Sequence, residues 1–287
     1  ENPDMPTRMT EEEREVQLAK YGLDKPLFEQ YVDYMVKLSR GDLGRSIYLK
    51  TPVLEVVLSR LKWTLLLTGT STVIYMLLGI FLGAGSAWAR GKKKDTWSLI
   101  TILTVSSFPT FFLGTLFVIF LAFNLGLFPL GGANTIGASY ANPLEEALDI
   151  LHHLVLPAAT LIIAHIGGTY LLMRNSMLGV IGADYILSAR AKGLSERYIR
   201  NKHAIRNALL PIVTMAALMI GFMITGTIFV EKVFAYPGIG LLLYDSVLCR
   251  DYPLLQGIFL FIAIPVVIAN FIADMTYIWL DPRVGDE

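Results

Sequence analysis

Five apolar blocks dominate the chain, at about 63–89, 97–124, 154–173, 211–230 and 254–280. Each is near or beyond the roughly 20 residues that an α-helix needs to cross a hydrocarbon core. Backbone amides inside lipid must be satisfied within their own segment, so runs of this length specify helices and exclude an ordinary soluble core. Charge agrees, at 17% of 287 residues against about a quarter in soluble domains. The fold class expected is therefore an all-α polytopic membrane protein. Formal net charge is zero, so no overall field favours nucleic acid. The one cysteine, Cys249, cannot close an internal disulfide.

Residues 1–62 read as an extracytoplasmic helical segment. Thr10 followed by Glu13 is a capping-box pattern and Gly22 is a stop. Asp24 with Pro26 looks like a second start, after which Leu27, Phe28, Tyr31, Tyr34, Met35 and Leu38 recur at helical spacing up to Gly41. That pattern predicts an amphipathic helix lying on an apolar surface. Within the blocks, Gly79 and Gly83 form a GxxxG step that permits close helix contact. Pro109 and Pro265 are expected to kink the second and fifth blocks.

Orientation follows from the loop cations. Arg90, Lys92, Lys93 and Lys94 join the first two blocks, and Arg174, Arg190, Lys192, Arg197, Arg200, Lys202 and Arg206 lie between the third and fourth, so both links are expected in the cytoplasm. The 125–153 link has no Lys or Arg but carries Glu145, Glu146 and Asp149, so it is expected outside. This places the amino terminus outside and the 281–287 tail inside, and with no signal peptide visible a sixth, earlier crossing is expected ahead of Glu1.

The stretch 184–211 reads as two short helices: Asp184 caps the first, Lys192 complements its dipole, Gly193 is a left-handed stop and Ser195 caps the second. Small residues Ser188, Ala189 and Ala191 would let the first helix approach a groove closely. Basic cytoplasmic loops are common, so these residues alone leave a docking role and an ordinary surface hairpin both open. The run ARAKGL followed by HAIRNALLP resembles the EAA-type loop of ABC importer permeases, in the form found in the dipeptide, oligopeptide and nickel subfamily. YGLDKPLFEQYVDYM, GDLGRSI, SSFPTFFLG, HHLVLPA, RNSMLGV, VFAYPGIGLLLYDSVLCRDYPLLQG and YIWLDPRV resemble that subfamily in order and spacing. A Glu-Ala-Ala triplet is missing and Arg206 stands where many such permeases have proline, departures that the peptide branch shares.

The resemblance implies a type I ABC importer transmembrane fold in 63–287 with a coupling loop at 174–210. It implies a homologous second permease subunit, two cytoplasmic ATPase subunits, an external solute-binding protein and a multi-pass location in the plasma (inner) membrane, surrounded by lipid. The coupling residues carried over are Asp184, Tyr185, Ser188, Ala189, Arg190, Ala191, Lys192, Gly193 and Leu194. Peptides, or another small solute delivered by the binding protein, are the implied cargo. With no GxxxxGK[ST] run present, no catalytic site and no cofactor are expected in this chain, and ATP and Mg would be bound by the ATPase subunits.

His165, near the middle of the third block, is a candidate for the pathway lining. Phe234, Pro237, Gly238 and Gly240 are candidates for an outer gate, while Glu231 and Lys232 read as interfacial charges. His152 and His153 point in different directions and lack a completing acid or thiol, so no metal site is expected. Asp281 reads as interfacial and Asp274 as the partner of a base, and Trp63, Trp97, Tyr277 and Trp279 fit the aromatic belt. The rival class is a self-sufficient secondary transporter or channel, against which stand the small number of crossings and the lack of an evident internal repeat.

Overall fold

The computed structural model describes residues 12, 15–16, 24–213, 215–216 and 228–280, without the side chains at 265, 269–270 and 272–280. The Thr10–Glu13 pattern, the Gly22 stop, most of the fourth apolar block, the side chains of Pro265, Asp274, Tyr277 and Trp279, and the 281–287 tail lie outside the described residues.

Helix α1 spans Leu27–Ser39, starting after Pro26 rather than from an Asp24 cap, and Gly41 ends it with φ +77°. Its apolar residues Leu27, Phe28, Tyr31 and Met35 are exposed in the isolated chain. The following loop is held by Asp251, whose buried carboxylate accepts from the Ser46 hydroxyl and from the amides of Ile47 (3.2 Å) and Tyr48 (3.1 Å).

Helix α2 runs Val53–Trp88, ten residues further back than the apolar block beginning at Trp63, because polar residues such as Glu55 and Arg60 continue a helix without interrupting it. At 36 residues it is about 54 Å long, so it overhangs the hydrocarbon layer. The second block is not one kinked helix but two, α3 (Lys93–Ser106) and α4 (Thr110–Phe117, continuing as a π-helical turn over Val118–Asn124), meeting at 88°. Pro109 sits immediately before α4, where its missing amide leaves no unmade helical bond.

Helix α5 spans Pro143–Ile181, longer than the 154–173 block. Its start is a reciprocal cap: Asn142 accepts from the Glu145 amide (2.9 Å), and the Glu145 carboxylate accepts from the Ala141 amide (3.0 Å). Then follow α6 (Asp184–Ala191), α7 (196–208, with a π-helical middle at Ile199–Ala204), α8 (Ile228–Val233), α9 (Ile239–Leu248) and α10 (Tyr252–Leu280). Among the described residues two helices, α2 and α5, are long and apolar enough by themselves to cross a membrane, and the bent α3–α4 pair makes a third candidate span. Among the described residues no strand occurs, only an isolated antiparallel bridge between Arg45 and Pro52.

The GxxxG step lies where α2 meets α5. A Cβ at Gly79 would stand 2.7 Å from the Thr169 Cβ, and one at Gly83 would stand 2.5 Å from the Tyr170 carbonyl oxygen. Backbone therefore touches backbone here, an approach that only a missing side chain allows. Gly83→Ala should lower the thermal midpoint of the purified protein, with a cost of about 1–3 kcal/mol from overpacking. Gly85→Ala, where an added Cβ meets nothing within 4 Å, should not lower the midpoint and should raise it slightly, because alanine favours a helix over glycine.

Candidate coupling surface and outer junction

Beyond α5 the chain turns at Gly182 into α6. Ile186 and Ala189, one helical turn apart, are buried against Met173 and Met177 of α5, Ala84 and Ala87 of α2, and Ile199, Ala204 and Ala208 of α7. Tyr185, Leu187, Ser188, Ala191 and Leu194 remain exposed on the other side. Ala189 is thus turned inward, and only Ser188 and Ala191 of the three small residues face out. Asp184 does not cap α6: Ala183 holds the cap position and Asp184 makes no capping hydrogen bond, although a first-turn carboxylate still suits the helix dipole. Ser195 does occupy the cap position of the next helix, without a side-chain bond.

The end of α6 is a Schellman closure. The Gly193 amide donates to the Arg190 carbonyl (2.9 Å) and the Leu194 amide to the Ala189 carbonyl (3.3 Å), with Gly193 at φ +75° and Lys192 as the cap residue. Arg190 ties the turn together. Its Nε and Nη2 donate to the two Glu196 oxygens at 2.9 and 3.2 Å, and its guanidinium lies 5.7 Å from the Trp88 ring centroid at the end of α2. A two-turn helix is thereby fixed at its inner face, its end and the turn that follows.

A second lock, not anticipated from the sequence, lies beneath this hairpin. Arg174 of α5 donates twice to Asp95 of α3, Nε to Oδ1 and Nη2 to Oδ2, both at 2.9 Å. The Ser86 hydroxyl of α2 also donates to Asp95 and lies 2.6 Å from the Tyr170 hydroxyl. Three helices therefore meet on one nearly buried carboxylate. The available signal was a lone acid immediately after Lys92, Lys93 and Lys94.

At the other end of the bundle, Phe234 and Tyr236 are buried with Leu67, Ala122, Ala133, Leu154 and Val230. The Phe234 carbonyl accepts from the Gly132 amide (2.8 Å), and Trp63 meets Tyr236 edge-on at 6.1 Å. Gly238 and Gly240 are buried and Pro237 is half-buried. Glu231 is not an interfacial charge: it is 0% exposed and bonded to Thr64 of α2 and the Leu241 amide of α9. Lys232 is exposed, 4.0 Å from Asp245. His165 lies apart from this group, exposed in the isolated chain with its ring edge-on to Tyr75 at 5.8 Å.

The 125–142 loop is pinned by Asp149, which accepts from the Thr135 amide and hydroxyl (both 2.7 Å) and the Tyr140 hydroxyl (2.6 Å). That carboxylate holds the Tyr140 phenol above its ordinary range. His152 turns to the Leu127 carbonyl (3.0 Å) and His153 to that of Asp149 (2.9 Å). Among the described residues no three His, Cys, Asp or Glu side chains are grouped to hold a metal.

Long apolar helices packed on each other, with an inward-anchored hairpin following α5, define an α-helical membrane protein. Residues 76–286 match the family described as binding-protein-dependent transport system inner membrane component. The chain is 38% identical over 281 residues to the oligopeptide transport system permease protein AppB of Bacillus subtilis, covering 98% of this chain and 87% of that protein. It is 37% identical over 263 residues to the glutathione transport system permease protein GsiC of Salmonella typhimurium, covering 92% of this chain and 81% of that protein. The chain belongs to the binding-protein-dependent transport system inner membrane component family. It is a membrane permease component of an ABC importer, with the type I importer transmembrane fold, and is not itself an enzyme.

Removing Arg174 would leave Asp95 charged and unpaired in a nearly closed site. Arg174→Ala should cost about 3–5 kcal/mol of stability, and Arg174→Met combined with Asp95→Asn should cost clearly less, because both charges then leave together. Thermal midpoints of the purified protein measure the difference.

Proposed function

We propose that this chain is one of two homologous permease subunits in an ATP-driven peptide importer of the plasma membrane, crossing the bilayer several times. Residues 1–62 lie outside, 63–287 form half of the translocation pathway, and two ATPase subunits that bind ATP and Mg dock on the cytoplasmic loops of the pair, which in this chain is the 174–210 loop. An external binding protein delivers the cargo. The relatives, an oligopeptide transport permease and a glutathione transport permease, favour peptide cargo. His165 is assigned to the pathway, and Phe234, Pro237, Gly238 and Gly240 to its outer gate.

The observation that carries the coupling role is the two-sided character of α6. Its inner side is anchored by Ile186, Ala189 and the Arg190–Glu196 pair, while Tyr185, Leu187, Ser188, Ala191 and Leu194 stand free to meet a partner. A short helix transmits displacement only when it moves as a rigid body with the span behind it, and this one is backed by α2 and α5. Asp184 and Lys192 flank the surface, and Gly193 lets the chain reverse.

Ala191 is exposed, so Ala191→Trp adds bulk to the docking face without touching the core. Gly193→Val forces a β-branched residue into a left-handed conformation at about 1–2 kcal/mol. Both variants should insert and pair with the sister permease but lose uptake, through lost ATPase co-purification or ATP hydrolysis that no longer responds to loaded binding protein. Ser139→Trp in the 125–142 loop should leave ATPase co-purification intact. Wild-type uptake and stimulation in both loop variants would overturn the coupling role.

A further inference from the structure

Glu231 is the largest departure from what the sequence suggests, because a fully buried carboxyl group is costly without partners. The neighbouring cation does not serve it: the Lys232 ammonium lies 4.2 Å from the Tyr244 ring centroid and 4.0 Å from Asp245. Its partners are neutral donors on two other helices. The Thr64 hydroxyl of α2 donates to Oε1 at 2.9 Å and the Leu241 amide of α9 to Oε2 at 2.9 Å. Thr64 in turn accepts from the Ile239 amide at 2.8 Å, so two side chains tie α2, α8 and the start of α9 together.

This knot separates two apolar clusters. Val230, Phe234 and Tyr236 pack on one side with Leu67, and Ile239 and Leu242 on the other with Val53 and Val57. The chain between them turns tightly, with Ala235 at φ +45° and the Tyr236 amide donating to the Glu231 carbonyl at 2.8 Å. Gly238 sits at φ −93°, which any residue adopts, so conformational freedom does not account for glycine there. Space does: a Cβ at Gly238 would stand 2.4 Å from both Glu231 carboxyl oxygens.

We infer that Glu231 is a positioning residue for transport, its buried carboxyl group holding the 234–241 segment against α2 in the space that a side chain at 238 would take. The inference rests on the proposed function, in which this segment belongs to the outer gate. It adds a part that acts through Thr64 and Gly238 without touching cargo. Glutamine can replace the acid, since a carboxamide still accepts from the Leu241 amide and donates to the Thr64 hydroxyl. Alanine cannot.

The test uses intact cells carrying the whole importer and a membrane-impermeant maleimide. Native Cys249, exposed in the structure, marks whether this face is outside. In a Cys249→Ser background, Ser246→Cys is a near-isosteric probe on α9 at a position that is 3% exposed. Labelling of the probe should be slow in the otherwise unchanged chain and with Glu231→Gln. It should be at least about tenfold faster with Glu231→Ala, Thr64→Val or Gly238→Ala, the change expected from losing a hydrogen bond to a buried charged group. Peptide uptake should fall in the same three variants and persist with Glu231→Gln. If Glu231→Ala does not insert, Thr64→Val and Gly238→Ala carry the same comparison. A labelled Cys249 with the probe protected in every variant, or a released probe with unchanged uptake, overturns the positioning role alone. An unlabelled Cys249 overturns the orientation and the proposed function with it.

Discussion

The contact between α2 and α5 at Gly79 and Gly83 is the constraint on which the expected cytoplasmic half depends. Because these glycines bring the two backbones together, Tyr170 lies against Ser86, and Arg174, one turn on, reaches Asp95 at the start of α3. Met173 and Met177 on the same side of α5 then meet Ala84 and Ala87 of α2 and form the floor on which Ile186 and Ala189 rest. Helix–helix association in lipid lacks the hydrophobic driving force available in water, so close packing and well-satisfied polar contacts carry more of the burden. The α6–α7 hairpin inherits its rigidity from that contact, since α6 is too short to be stable by itself.

The opposite half is organised by chain-to-side-chain contacts instead. The 125–142 loop hangs on Asp149, the 45–48 loop on Asp251 and the 234–241 turn on Glu231. In each case a carboxylate gathers amide or hydroxyl donors from a segment with few backbone bonds of its own, which orders irregular chain where no ladder can. Glu231 differs from the other two in reaching across to α2.

Much of this was legible because it depends on local chemistry. The first and third apolar blocks mark α2 and α5, the second marks the bent α3–α4 pair, Gly193 marks the end of α6, Pro109 marks the break between α3 and α4, and the ordered motifs point to the family. What could not be read depends on partners distant in sequence. Thr64 and Glu231 are separated by 167 positions, and beside Lys232 the acid looks like a surface charge. Asp95 and Arg174 are 79 positions apart, and a basic run masks the acid. Hydropathy understates the length of α5 because it reports contact with lipid, whereas the helix begins at its cap, in water. Ala189 and Ala191 could not be told apart by residue type, only by which side of α6 the α5 methionines cover.

The proposed coupling role requires α6 to present one fixed face to an ATPase while its other face is sealed into the permease. A short bifunctional thiol cross-linker, applied to the assembled importer in a Cys249→Ser background with cysteines introduced on the ATPase surface, measures this directly. Ser188→Cys, on the exposed face, should join the permease to the ATPase, and Ala189→Cys, one residue away and buried, should not. Equal cross-linking from both positions, or from neither, would contradict it.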